Sequence, residues 1–405
     1  MNICKYNPEN KIEELQYDMN GGRVIGEGGY GCVLKPAVTC SGKERKSNNL
    51  ITKIQLDNET SDREVLIGKM VKKIPLSRKH FAPIVSNCYS KPKMLKIISK
   101  TNNCKFLNEN PRESFAISSI PVIDGDDFKN HIYNITDSGE MLFTIIHSYV
   151  YLLFSLYMLD KNGIIHYDLK GENIMYDVKK KCPIIIDFGL SIPKKEIKPN
   201  FKNPSYIYNL KNYFYAYAPD YQLWCLDIHY LSFVCSKSDK PVKGEINNMV
   251  DTYIYYNKAL QSLSKEFVDR FRELSIKQLN KYADMGVEDT VKYLYKYCNT
   301  WDNYSLSIMF LRQLKYLKNN TIDNRFLQFF EKVMCINIDP RPDKRMTIKK
   351  THDIFVPYLN KNENNLSVFQ DLVNTIEKNK NSIKKGIEKQ IKYDTVTSYK
   401  MSLFK

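Results

Sequence analysis

The ten cysteines of this 405-residue chain include no C-x-x-C pair, the spacing typical of a structural zinc site. The first six residues also lack the apolar core of a secretory signal. From these two absences we expect no zinc site, reduced thiols and a cytoplasmic protein.

The chain also lacks an internal repeat at the periods of solenoid folds. A hydrophobic content of 43% and an aromatic content of 12% exclude a disordered chain and predict a substantial core. Acidic residues are fewer than basic ones, 45 against 61, which gives a formal net charge of +16. The lysines are spread along the chain, so we expect that nucleic acid is not the primary partner.

The basic excess is most local in residues 360–405, where lysines alternate with apolar residues. We expect a solvated basic helix or a disordered tail there. A helix packed on the rest of the molecule is the alternative.

One apolar run, residues 141–159, is long enough for a membrane-spanning helix. The run also contains His147, three tyrosines and two serines, which disfavour the lipid environment. We therefore expect a buried helix and no membrane span.

Two nearby segments carry the most information, IIHYDLKGEN at 164–173 and IIIDFG at 184–189. They place Asp168, Lys170 and Asn173 on one short loop and Asp187 at the end of an apolar run. Phosphoryl transfer needs a base to orient a hydroxyl, a cation for the moving phosphoryl and oxygen ligands for magnesium. The two segments resemble the catalytic loop and the metal-binding loop of eukaryotic-type protein kinases.

This resemblance implies a role for each of the four side chains. Asp168 would accept or orient the proton of the substrate hydroxyl, and Lys170 would neutralise charge on the transferred phosphoryl. Asn173 and Asp187 would hold Mg²⁺. Lysine at position 170 is typical of the kinases that act on serine and threonine.

A phosphate-binding loop is expected upstream, and residues 26–33 match its pattern G-x-G-x-x-G-x-V. Glycines let the backbone approach phosphates because no Cβ intervenes. The motif alone is weak, but a strand-like segment follows it rather than the helix of a dinucleotide-binding fold. The expected nucleotide-binding residues are Ile25, Gly26, Glu27, Gly28, Gly29, Tyr30, Gly31, Cys32 and Val33.

Lys53 lies in an apolar, strand-like segment and resembles the lysine of the third kinase strand. A lysine buried there without a partner would be costly, so a carboxylate partner is implied. We prefer Glu64, which opens a helical pattern, and keep Glu59 as the alternative. Ile51 departs from the family pattern, which has a small alanine against the adenine.

Residues 115–128 resemble the last strand of the small lobe and the hinge that binds adenine. Two interpretations of Asp127 remain open: contact with a ribose hydroxyl, or the N-cap of a helix.

The activation segment would run from Asp187 to Asp220. Tyr167 stands where the family has an arginine that pairs with a phosphorylated residue of this segment. A neutral phenol cannot form that charge-assisted bond, so we expect no dependence on the phosphate. The segment begins with a basic stretch, which either favours acidic residues around the target or is a solvated loop. Its lysines are Lys194, Lys195, Lys198 and Lys202.

Two further expectations concern acidic residues. Asp220 stands for a family glutamate and should pair with Arg345, with Arg341 as the alternative. Asp302 should open the central helix of the large lobe, with Asp227 as the weaker candidate. If so, residues 221–300 form an insertion, which we predict to be helical.

The resemblance implies an α+β, two-lobed kinase fold, with a β-rich lobe at 21–123 and a mainly helical lobe at 124–357. Residues 1–20 and 358–405 would be extensions. ATP and Mg²⁺ would be the cofactors, and serine or threonine hydroxyls of proteins the acceptors. A catalytically inactive pseudokinase scaffold and a small-molecule phosphotransferase of the kinase-like superfamily remain alternatives. The departures from pattern resemble divergent kinases of large DNA viruses, which would place the chain in the host cytoplasm or the virion.

Overall fold

The structure is a computed structural model in which residues 23–28, 31–41, 45, 49–90, 104–110, 113–237, 241–317, 324–360 and 365–402 are described. These residues form a five-stranded sheet followed by a mainly helical region. The predicted α+β class is therefore confirmed.

The sheet consists of β1 (Arg23–Gly28), β2 (Gly31–Lys35), β3 (Leu50–Leu56), β4 (Ser86–Ser90) and β5 (Phe115–Pro121). All neighbours are antiparallel and the strand order is β1-β2-β3-β5-β4. The middle position of β3 places its side chains between those of the β1–β2 hairpin and those of β5.

Helix α1 (Glu59–Lys72) follows β3 directly, and its start is fixed by local hydrogen bonds. The Asn58 side chain accepts from the backbone N–H groups of Thr60 and Ser61, and the Ser61 hydroxyl accepts from the Asn58 N–H. Such a capping box satisfies donors that a helix start leaves without partners. Glu64, further along α1, is 3% exposed.

Two disulfides link the sheet to neighbouring segments and correct the expectation of reduced thiols. Cys32 of β2 is bonded to Cys104, and Cys40 is bonded to Cys88 of β4. The partners are 72 and 48 residues apart in sequence, so no local spacing indicated them. Cys32 consequently offers no free thiol to a nucleotide. The free cysteines among the described residues are Cys182, Cys225, Cys235, Cys298 and Cys335.

Short elements surround the functional loops. The helices α2 (Ser77–His80) and α3 (Lys105–Glu109) precede β4 and β5. Two small antiparallel ladders follow in the helical region: β6 with β9, and β7 with β8. Their bounds are β6 (Ile164–Ile165), β7 (Ile174–Asp177), β8 (Cys182–Ile185) and β9 (Ile192–Pro193).

The helical region is built around one long apolar helix. Its helices are α4 (Phe128–Asn134), α5 (Ser138–Lys161), α6 (Tyr206–Leu210), α7 (Leu226–Lys237), α8 (Lys243–Tyr256), α9 (Lys265–Asp284), α10 (Val287–Tyr295), α11 (Trp301–Leu317), α12 (Arg325–Asn337), α13 (Ile348–Asn360) and α14 (Asn365–Ser402). Tyr149 of α5 contacts Phe310, Phe330 and Phe355, which come from α11, α12 and α13. Edge-to-face contacts of this kind add to the burial of apolar area in the core.

Helix α5 is the one candidate membrane span among the described residues, by length and composition. In its most apolar stretch, 56% of the residues are buried inside the protein. A core helix of a soluble protein passes the same test, so the absence of a membrane span stays our prediction.

Among its described residues, the stretch 221–300 contains four of these helices, α7 to α10, and its assignment as an insertion stays a prediction. Within this stretch, α9 buries the side chains of Phe271, Leu279 and Tyr282. Helix α11 then begins at Trp301.

The C-terminal helix α14 corrects the expectation of a solvated or disordered tail. It lies against α4, α5 and α11. Leu372, Ile376, Ile383 and Ile387 are each at most 2% exposed. Their spacings of four, seven and four residues put them on one helix face, which the many lysines of the tail obscured in the composition.

Candidate active site

Lys53 of β3 joins two carboxylates from different parts of the chain. Its Nζ lies 3.0 Å from Glu64 Oε2 of α1 and 3.0 Å from Asp187 Oδ1. The predicted Lys53–Glu64 ion pair is thus present, and Glu59 is not needed as the partner. Burial would lower the pKa of Lys53, but the charges of Asp187 and Glu64 raise it above its ordinary value, so the lysine stays charged.

Glu64 has one further partner that the sequence did not indicate. Gln55, two positions along β3 from Lys53, donates a hydrogen bond of 2.8 Å from Nε2 to Glu64 Oε2. Alternate residues of a strand project to the same face, which explains why both reach α1. The period of two of a strand follows from the sequence, but the identity of the polar side chain that bonds Glu64 depends on how α1 packs on β3.

The β1–β2 hairpin places the glycine-rich loop beside Lys53. In the register of β2 with β3, Val33 lies opposite Lys53 and Gly31 opposite Gln55. Gly31 has a φ of +150°, and a Cβ there would lie 1.9 Å from the Ile54 carbonyl oxygen, so only glycine fits. Gly29 and Tyr30 lie outside the described residues.

The other loop residues are placed as follows. Ile25 is exposed, Gly26 is half-buried, and Cys32 is buried in its disulfide. Glu27 accepts a hydrogen bond of 2.8 Å at Oε1 from the Phe106 N–H, which anchors the loop to α3. Gly28 ends β1.

The catalytic-loop backbone is held by Asp302, which lies in the first turn of α11 as expected. Its two carboxylate oxygens accept hydrogen bonds from the N–H groups of His166, at 2.7 Å, and Tyr167, at 2.8 Å. Tyr167 has a φ of +70°, a left-handed conformation that is strained for a bulky residue. The two bonds from Asp302 hold this conformation and aim the loop that carries Asp168.

Three side chains converge on the carboxylate of Asp168. Lys170 Nζ lies 2.9 Å from Oδ2, and Asn173 Nδ2 donates to the same oxygen at 2.9 Å. The Tyr221 hydroxyl donates to Oδ1 at 2.9 Å. Burial would lower the pKa of Lys170, but the negative charge of Asp168 raises it above its ordinary value, so the lysine stays charged.

Asn173 and Asp187 are brought together by the β7–β8 ladder. Ile174 pairs with Ile185, and the Ile186 N–H donates to the Asn173 carbonyl at 2.9 Å, which puts the two residues at the same end. Their oxygens, one amide and one carboxylate, are hard ligands that suit Mg²⁺. Among the described residues no hydrogen bond engages the Asn173 amide oxygen, so the donor set fits that ion.

Asp187 is kept ionised by its neighbours. Burial would raise the pKa of its carboxyl, but Lys53 and, more weakly, Lys170 hold it well below the usual range. Its φ of +55° and the bond from the Gly189 N–H to Oδ1 turn the carboxylate towards Lys53. The next residue, Phe188, is buried between Phe81 and His166.

Asp127 occupies the second of its two expected roles. It is the N-cap of α4, and Oδ1 accepts from the N–H groups of Lys129 and Asn130, both at 3.1 Å. Contact with a ribose remains a prediction.

The expected pairing of Asp220 with Arg345 is wrong. Arg345 Nη1 lies 2.8 Å from Asp227 Oδ2, and both side chains are almost completely buried. Tyr282 donates to the other oxygen of Asp227 at 2.9 Å. Asp220 is only half-buried, whereas Asp227 enters the core in the first turn of α7. Arg341 pairs with Asp339 instead.

Aromatic and carbonyl contacts hold the activation segment and the residues that directly follow it. Tyr167 lies against Trp224, with ring centroids 4.8 Å apart, and Trp224 Nε1 donates to the Tyr167 carbonyl at 2.8 Å. Arg63 of α1 donates to the Asn212 carbonyl at 2.9 Å and stacks on Tyr213. Apart from the Arg63 guanidinium, the groups that make these contacts are neutral rings and backbone groups.

Comparison with known proteins gives partial matches. A rhodopsin kinase of Xenopus laevis is 27% identical over 177 residues, or 44% of this chain and 28% of that protein. Human rhodopsin kinase matches with the same identity and the same shares. A probable serine/threonine-protein kinase of Dictyostelium discoideum is 28% identical over 186 residues, or 45% of this chain and 16% of that protein. No family model matches the chain.

These matches cover less than a third of the length of each of these relatives. They support the resemblance to the protein kinase superfamily that the catalytic-loop and metal-binding-loop motifs indicated. The activity and the substrates of this chain are a separate matter.

Proposed function

We propose that the chain is an ATP- and magnesium-dependent protein kinase that phosphorylates serine and threonine residues of protein substrates. The observation that carries the proposal is the set of bonds around Asp168 and Asp187. Asp168 is bonded to Lys170 and Asn173, and Asp187 is bonded to Lys53. The similarity to protein kinases supports the same class of enzyme. A two-lobed fold with ATP between the lobes, and a cytoplasmic location, are part of this proposal.

The reaction needs a base near the acceptor hydroxyl. Asp168 would take the hydroxyl proton as the hydroxyl oxygen bonds to the γ-phosphorus and the bond from phosphorus to the β–γ bridging oxygen breaks, which releases ADP. Lys170, 2.9 Å from Asp168, would place its positive charge beside the moving phosphoryl. Lys53, held by Glu64, would bind the α- and β-phosphates.

Asn173 and Asp187 would hold Mg²⁺, which supplies positive charge to the phosphate oxygens when bound. Asp187 is already turned towards Lys53, so the cation of the lysine and the metal ligand lie side by side.

The basic part of the activation segment bears on substrate choice. Lys194 is paired with Asp160, whereas Lys198 and Lys202 are exposed. We propose that these two lysines favour acidic residues near the target hydroxyl.

The proposal is tested by offering casein and a basic protein to the purified chain with radiolabelled ATP and Mg²⁺. Wild type, Asp168→Ala and the control Asp220→Ala are compared. We expect phosphoserine or phosphothreonine from wild type and from the control, and none from Asp168→Ala.

The other outcomes identify the alternatives. ATP binding without transfer by any form would indicate a pseudokinase. A small alcohol such as choline is offered in a parallel reaction, and label on it but on neither protein would indicate a small-molecule phosphotransferase. Equal label from wild type and Asp168→Ala would contradict the role of Asp168.

A further inference from the structure

Tyr221 is a buried residue whose hydroxyl contacts the proposed catalytic base. It is 5% exposed, and its hydroxyl lies 2.9 Å from Asp168 Oδ1. The other oxygen of Asp168 is bonded to Lys170 and Asn173. Tyr221 therefore completes the set of contacts that orients the carboxylate.

The backbone next to Tyr221 is fixed from several sides. His229 of α7 lies 3.2 Å from the Tyr221 carbonyl through Nε2, and burial lowers the pKa of this histidine to about 3, so it is neutral. Tyr253 of α8 donates to the Gln222 carbonyl at 2.9 Å. Ser305 of α11 donates to the Leu223 carbonyl at 2.7 Å.

The side chains of this segment are fixed as well. The N–H of Lys258, which follows α8, donates to Gln222 Oε1 at 2.9 Å. Trp224 packs its indole on the rings of Tyr167 and Tyr221. Two of the helices in residues 221–300, α7 and α8, thus contact the segment that carries Tyr221.

We propose that Tyr221 is a positioning residue for Asp168 and that α7 and α8 hold it in place. This inference rests on the proposed kinase function. The hydroxyl holds one carboxylate oxygen, so that the base faces the acceptor in one orientation. A carboxylate oxygen has two lone pairs, so Asp168 Oδ1 can accept a hydrogen bond from the substrate hydroxyl as well as the one from Tyr221.

If Tyr221 instead blocked the binding of the substrate hydroxyl, removing its own hydroxyl should raise the rate. If the Tyr221 hydroxyl occupied the place of the substrate hydroxyl, the side chain would have to leave before each reaction. The burial of the Tyr221 ring and its packing against Trp224, with ring centroids 5.1 Å apart, oppose such a movement. We therefore infer positioning, and the two roles differ in the sign of the effect of removing the hydroxyl.

The first test is Tyr221→Phe, which removes one oxygen and keeps the ring. We expect kcat to fall roughly 10- to 100-fold, since displacing a catalytic group by about 1 Å costs on the order of a hundredfold. The KM for ATP and the melting temperature should not change. Tyr206→Phe is the matched control, because Tyr206 is also buried and its hydroxyl donates to the Ile197 carbonyl rather than to a residue of the candidate site.

The second test is Tyr253→Phe, which removes the hydroxyl that holds the Gln222 carbonyl. A smaller fall in kcat with an unchanged KM for ATP would support the role of α8. No change would overturn that part of the proposal.

The outcomes separate this inference from the proposed function. An active wild type with an equally active or faster Tyr221→Phe variant would overturn the positioning role alone. A fall in kcat of the same size in Tyr206→Phe would also overturn it. No phosphoryl transfer by wild type would overturn the proposed function and this inference with it.

Discussion

The two ends of the candidate site are held together by different forces. At the charged end, which we define as Lys53, Glu64 and Asp187, one ammonium group bridges two carboxylates at 3.0 Å each. At the neutral end, defined as residues 221–224, the backbone carbonyls are hydrogen-bonded to the side chains of His229, Tyr253 and Ser305. The Trp224 ring of this end packs on Tyr167. Charge orders one end, and shape and neutral hydrogen bonds order the other.

The difference teaches what each end requires. Charge-assisted hydrogen bonds are stronger than neutral ones, but they depend on the charge of the partner. A neutral network needs no charged ligand, so it can be complete before any substrate or phosphate arrives. We infer that the charged end serves the nucleotide and that the neutral end replaces a regulatory contact.

The largest effect on the reaction rate is expected from removing the charge of Asp187, one of the two carboxylates of the charged end. In Asp187→Asn the rate of phosphoryl transfer should fall roughly a thousandfold or more, because a metal-held charge contributes several kcal/mol to the transition state. The fold should persist, since Lys53 keeps its bonds to Glu64. Initial rates over a range of Mg²⁺ concentrations measure this change.

Asp220→Asn is the control for that prediction, because Asp220 is half-buried and has no ion pair among the described residues. It should leave the rate unchanged. A metal dependence in Asp187→Asn equal to that of wild type would contradict the role of Asp187 as a ligand.

The second prediction concerns the buried ion pair of Arg345 with Asp227, which we expect to stabilise the fold. Arg345→Met leaves the buried Asp227 carboxylate without its cation, and breaking such a pair costs roughly 3–5 kcal/mol. Arg341→Met removes a more exposed pair with Asp339 and should cost about 1 kcal/mol or less. Urea unfolding of both variants gives the comparison. Equal losses would contradict the placement of Asp227 as the buried partner.

Motifs with fixed offsets could be predicted from the sequence. Asp168, Asn173 and Asp187 are set by the lengths of one loop and one hairpin, so spacing alone brings them together. Lys53 was indicated by its resemblance to the lysine of the third kinase strand, and Glu64 followed from the cost of burying an unpaired cation in a strand. The α+β class followed from the same motifs.

Contacts between distant segments could not be predicted in this way. Asp227 and Arg345 are 118 residues apart, and the choice between Asp220 and Asp227 depends on which carboxylate the helix α7 buries. Tyr221 is one of 29 tyrosines, and no local pattern distinguishes it. The disulfide partners and the packed face of α14 likewise depend on tertiary contacts.

The smallest effect on kcat is expected from removing any phosphoryl groups that the protein itself carries on its activation segment. Tyr167, which stands where the kinase resemblance predicts an arginine that pairs with a phosphorylated residue, packs on Trp224 with ring centroids 4.8 Å apart. The nearby cation Arg63 of α1 is already bonded to the Asn212 carbonyl and stacked on the Tyr213 ring. Phosphatase treatment, verified as complete by mass spectrometry, should leave kcat within about twofold, because no charge-assisted phosphate bond is lost. A tenfold or greater loss, on the order of one such bond, would show that the neutral network does not order the segment by itself. Mock-treated protein is the control, since it separates the loss of phosphate from inactivation during incubation.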